Sequence, residues 1–111
     1  DLEKENSYHM MMLGMCLCLN KDYEIISNRE VGKGRDDLIL KAKDEKKTSF
    51  VLAFKYLKDD KKDFEKALDD LSNKAIQQIK DNKYDYGLKG KVIYIGLAHH
   101  GKDVSIKWEE R

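Results

Sequence analysis

Asp37, in GRDDLIL, and Lys55, in VLAFKY, are the two side chains of this sequence best placed for chemistry. Both lie in short, alternating, β-rich runs, where every second side chain shares a face. Arg35, Asp37 and Ile39 then line one face of their strand, with Leu38 and Leu40 on the other. In the following run Val51, Ala53 and Lys55 go together, against Leu52 and Phe54. A hairpin between the runs sets Asp37 beside positions 53 and 55. Asp36 points the opposite way, which leaves Asp37 as the acid of the pair. Carboxylate and backbone carbonyl oxygens are ligands for magnesium, which activates a bound water and offsets charge on a phosphate. An ammonium group nearby can orient or help deprotonate that water.

The elements that must hold these residues follow from periodicity. Residues 2–19 read as a helix, with Leu2, Tyr8, Met12, Met15, Cys16 and Leu19 at helical spacing and acidic residues in its first turn. YEIISNREV (23–31) is a strand, VGKGR a turn, and DDLILKAK a second strand from Asp36. DEKK is a polar hairpin turn and TSFVLAFKY (48–56) a third strand. LKDDKKD is a solvated connection. Residues 61–82 form an amphipathic helix, with Phe64, Ala67, Leu68, Leu71, Ala75, Ile76 and Ile79 as its apolar stripe. KYDYGLKG is a loop. KVIYIGLAHH is the most apolar strand and is expected to sit centrally. His99 and His100 fall in a turn that leads into a last strand, VSIKW. The order α-β-β-β-α-β-β predicts an α/β fold, a mixed sheet flanked by helices, because a strand–helix–strand crossover favours a parallel pair.

Length and composition bound the rest. With 111 residues and no proline, repeat or low-complexity linker, positions 1–111 read as a single domain. The formal net charge is +1, so a nucleic-acid site here has to be local rather than a broad basic face. Cys16 and Cys18 read as small buried hydrophobes of a reducing compartment. The apolar run 10–19 is too short to span a membrane, and acidic rather than basic residues precede it, so a cytoplasmic protein is expected. The chain opens on Asp1 rather than methionine and reads as a piece of a longer protein.

Four segments together, ENSYHMMMLGM, GRDDLIL, VLAFKY and AIQQIKDNKY, resemble the PD-(D/E)XK nuclease superfamily. The similarity is to the small nuclease domains found C-terminal to AAA-ATPase-like proteins, which show a GR-x-D strand, an E-F-K strand and an A-x-x-Q-I-x-x-x-x-Y helix. It covers nearly the whole chain and implies a restriction-endonuclease-like core. Carried over by position, it implies Asp37 as a metal ligand, the Phe54 backbone carbonyl as another, and Lys55 as the catalytic lysine. Gln78 would orient lysine, water or phosphate, and Glu5 of the first helix would approach the metal. Arg35 and His9 would contact nucleic acid. Ala53 stands where the family carries its second acidic ligand.

The resemblance therefore implies a Mg2+- or Mn2+-dependent nuclease, with DNA favoured over RNA, disabled in this chain by Ala53. The rest of VL-x-FK is intact, as are Glu5, Asp37, Lys55 and Gln78, so the change reads as a lesion at one position. The alternative is a non-catalytic nucleic-acid- or protein-binding module on the same fold. Fusion to an ATPase-like domain is implied by the resemblance, and the Met-rich first helix offers a surface for a homodimer.

Overall fold

The computed structural model describes residues 2–30, 35–58 and 64–111, with side chains of the first helix from His9 onward. Helix α1 (Leu2–Cys16) runs into a 3-10 turn (Leu17–Leu19). It is followed by β1 (Tyr23–Glu30), β2 (Arg35–Ala42), β3 (Ser49–Tyr56), helix α2 (Phe64–Asp81), β4 (Val92–His100) and β5 (Asp103–Glu110). The five strands lie in one sheet in sequence order, β1-β2-β3-β4-β5. All neighbours are antiparallel except β3 and β4, which are parallel because α2 carries the chain back across the sheet between them. The expected mixed α/β sheet is thus present. The glycine-containing turn at 31–34 and most of the 57–63 connection lie outside the described residues.

Strand alternation sorts the apolar residues into two layers. Ile39, Val51 and Ala53 face α2 and pack with its Ala75, Ile76 and Ile79. Leu38, Leu40, Leu52 and Phe54 face the other way and pack with Cys16, Met12 and Leu13 of α1. Helix α2 lies tight against the sheet at Gly96, where an added Cβ would lie 2.1 Å from the Ser72 carbonyl oxygen and 2.8 Å from Ile76 Cγ1. Ala53 is the direct parallel partner of Gly96. Two minimal side chains therefore sit side by side beneath the helix.

Several expectations need correcting. Cys18 is exposed, its thiol donating to the Met15 carbonyl at 2.9 Å; only Cys16 is buried. Met15 and Leu19 are exposed too, because one short helix face suffices to cover the β2–β3 part of the sheet. On α2, Ser72 is fully buried while Phe64 and Leu71 are half-buried. Its hydroxyl is satisfied by donating to the Asp69 carbonyl at 2.8 Å, which lets a polar residue occupy the tight approach to Gly96. The central strand is β3, with β4 beside it. His99 and His100 end β4 rather than forming a turn; Gly101, at φ 58°, supplies the turn. His99 is held by the Tyr56 ring, 5.0 Å between centroids, and His100 Nδ1–H donates to the Leu57 carbonyl at 2.7 Å. Among the described residues no helix is long and apolar enough to cross a membrane.

Candidate functional site

Strands β2 and β3 part company where the candidate residues lie. Asp37 is the direct antiparallel partner of Ala53, and the pairing between the two strands stops there. Beyond it β2 stays paired with β1 as far as Arg35 opposite Glu30, and β3 with β4 as far as Tyr56 opposite His99. The sheet opens into a fork with Asp37 and Ala53 at its base and Arg35 and Lys55 on its two arms. Alternation puts all four on the α2 side, as the sequence predicts.

Asp37 is 0% exposed, and both of its oxygens are engaged. Oδ1 accepts from Arg35 Nε at 2.8 Å, and Oδ2 accepts from Asn28 Nδ2 at 3.2 Å across the β1–β2 pair. The Arg35 guanidinium lies 4.3 Å from the centroid of the Tyr84 ring, and the Tyr84 hydroxyl accepts from Gln78 Nε2 at 3.0 Å. The bond to Asp37 raises the Arg35 pKa, with burial pulling the other way. A continuous polar line runs from Gln78 on α2 through Tyr84 and Arg35 to Asp37 and Asn28. Lys55 is half-buried and shares the strand face of Ala53.

This arrangement does not fit a divalent cation as it stands. Among the described residues no three of His, Cys, Asp and Glu come close enough to hold one. Asp37 offers the fork a single carboxylate already bonded on both oxygens, and Ala53 offers no ligand. The cation present at Asp37 is a guanidinium.

His9 lies elsewhere. It is 2% exposed on the α1 side of the sheet, with Nδ1 bonded to Asp36 and Nε2 2.6 Å from Ser27 Oγ. Its ring meets Phe54 edge-on, 5.6 Å between centroids, and Arg29 Nη1 donates to Asp36 Oδ2 at 2.7 Å. The sheet therefore separates His9 from Asp37, and its burial keeps it from a nucleic-acid backbone. The Glu5 side chain lies outside the described residues.

Strand alternation brought Arg35, Asp37, Ala53 and Lys55 to one side of the sheet and the resemblance added Gln78, but Asn28 and Tyr84 were missed. Tyr84 closes the A-x-x-Q-I-x-x-x-x-Y pattern, so its signal was present without a role attached. Asn28 gave no signal, since only the β1–β2 register, with Asn28 opposite Asp37, makes it a neighbour.

Comparison with known proteins agrees with the fold. The mixed five-stranded sheet with its two helices is consistent with a restriction-endonuclease-like architecture. No curated protein and no solved structure matches the chain. The family model of the PD-(D/E)XK nuclease superfamily matches residues 3–109, from the first turn of α1 to the end of β5. By that match, over almost its entire length, the chain belongs to the PD-(D/E)XK nuclease superfamily.

Proposed function

We propose that this chain is a nuclease domain directed at the phosphodiester bonds of nucleic acid, DNA in preference to RNA, with hydrolysis blocked at position 53. Members of the superfamily are generally nucleases that use divalent metal ions. One observation carries the reading: Ala53 is the direct partner of Asp37 at the last rung before the strands part. A carboxylate at position 53 would emerge at the base of the fork beside Asp37. Lys55 is the catalytic lysine in this reading, Gln78 the group that orients it or the phosphate, and Glu5 an accessory acid. Asp37, with the Phe54 carbonyl, is the remaining part of a metal site. With Ala53 offering no ligand and Asp37 bonded to Arg35, the described residues of the fork hold no divalent ion, and in this reading the chain does not cleave.

Ala53→Glu is expected to create Mg2+- or Mn2+-dependent cleavage of DNA where the unaltered chain has none. Absence of cleavage of any DNA or RNA by that variant, folded and in either ion, overturns the proposal.

A second reading has its own support. Ala53 is 2% exposed and packs with Ala75, Ile76 and Ile79 beside Gly96. That fit suits an alanine native to the position, hence a module that binds nucleic acid or protein without cutting it. Metal-independent binding, with no gain of cleavage from Ala53→Glu, would select it. Fusion to an ATPase-like domain and self-association through the exposed Met10, Met11 and Met15 of α1 belong to either reading.

A further inference from the structure

We propose that Arg35 is the built-in cation of the fork, that it and a divalent ion are alternatives at Asp37, and that it thereby sets the metal affinity of any restored site. The inference rests on the reading of position 53 above for its main test and stands on separate geometry.

An ionised carboxylate with no exposed surface requires a cationic or multiply hydrogen-bonding partner. Asp37 has one in the Arg35 Nε–H, 2.8 Å from Oδ1, and its second oxygen takes the Asn28 amide. The guanidinium is fixed from its other side by the Tyr84 ring at 4.3 Å, and that ring is fixed in turn by Gln78. A planar cation stacked on an aromatic ring and bonded to a carboxylate is ordered before any ligand arrives. The pair is also partly open, since the Arg35 side chain is 30% exposed. An ion approaching Asp37 therefore meets a like charge that must first swing off Tyr84.

Mn2+ is the probe, and calorimetric titration of the folded protein reads its affinity without reference to cleavage. Adding Arg35→Gln to the Ala53→Glu variant is expected to tighten Mn2+ binding by about tenfold or more, since a competing charge leaves a buried carboxylate. Arg35→Lys in the same background keeps the charge and is expected to leave the affinity near that of Ala53→Glu alone. Unchanged or weaker binding with Arg35→Gln overturns the inference. So does equal tightening by Arg35→Lys, because steric relief rather than charge would then be the cause.

A failure of position 53 is distinguishable. If Ala53→Glu neither binds Mn2+ nor cleaves, Arg35→Gln is made in the otherwise unaltered chain. Its melting temperature is expected to fall, and to rise with Mn2+ by more than that of the parent. No such selective rise overturns the competition between cations. Where Arg35→Gln fails to fold, Tyr84→Leu removes the platform and leaves Asp37 intact. It is expected to tighten Mn2+ binding to a smaller degree, and unchanged affinity there counts against the inference in the same way.

Discussion

Replacing Gly96 by alanine tests whether α2 presses on the sheet where the fork residues are organised. The new methyl carbon would sit 2.1 Å from the Ser72 carbonyl oxygen and 2.8 Å from Ile76 Cγ1. It would fall about 1.3 Å short of an ordinary contact with that oxygen, and a backbone atom cannot rotate away as a side-chain tip can. The helix must retreat, and it takes Leu68, Ala75, Ile76 and Ile79 with it, all of them buried. Overpacking of this kind costs about 1–3 kcal/mol, and a backbone obstacle places it at the upper end. At roughly 4 °C per kcal/mol for a domain of this size, the melting temperature should drop by about 10 °C. Gly14→Ala is the matched control. Gly14 lies in α1 with nothing within 4 Å of its would-be Cβ, so alanine there should be neutral or stabilising by up to about 1 kcal/mol. Thermal melts followed by far-UV circular dichroism read both. A Gly96→Ala protein that melts with the parent refutes the close helix–sheet approach. Equal losses in the two variants would show that the site of substitution does not matter, which also refutes it.

Three further outcomes follow from side-chain networks outside the fork. Burial and the bond to Asp85 push Tyr94 up to about 12, from an ordinary 10.0, so the folded state holds that proton longer than the unfolded chain. The associated stability is present below pH 10 and is lost as the pH climbs towards 12; Tyr94→Phe should flatten this alkaline limb in melts run across the range. Burial raises Asp85, but the bonds from Arg111 and Tyr94 outweigh it and leave the carboxyl below its usual value. Its contribution is present above the ordinary carboxylate range and lost as acid protonates it, so Arg111→Ala should reduce the acid sensitivity of the melting temperature. His9→Ala should cost about 1–3 kcal/mol by removing a buried ring that packs edge-on against Phe54 and bonds Asp36 and Ser27. In the Ala53→Glu background it should speed hydrogen exchange in α1 without changing Mn2+ affinity; a large loss of affinity would place His9 at the fork after all.

What the sequence conveyed, and what it withheld, divides along physical lines. Period-two alternation is local, so the facing of Arg35, Asp37, Ala53 and Lys55 is legible in the sequence alone. The strand–helix–strand crossover likewise implied the parallel β3–β4 pair. Register is not local. Nothing in YEIISNREV announces that Asn28 falls opposite Asp37, or that Ser27 meets His9 on the far side. Helix periodicity misled at Met15 and Leu19 because an amphipathic stripe says which residues can be buried, not how far the sheet beneath extends. Ser72 escaped notice for the converse reason: its hydroxyl is satisfied within its own helix, so a polar letter could enter the core.

The consecutive aspartates show how much rests on the phase of one strand. Asp36 and Asp37 point to opposite faces, and each has its own arginine: Arg29 for Asp36, Arg35 for Asp37. On the α1 side Asp36 and Arg29 join His9 and Ser27 to pin the helix to the sheet. On the α2 side Asp37 and Arg35 join Asn28, Tyr84 and Gln78 at the fork. The two sets share no side chain, because the backbone of β1 and β2 lies between them. A slip of β2 by one residue would exchange the two carboxylates and at the same time turn Leu38 and Leu40, buried against α1, towards α2. The apolar layers thus hold the acid of the site in phase, and neither Asp37 nor Arg35 can be moved to the other face without unpacking both.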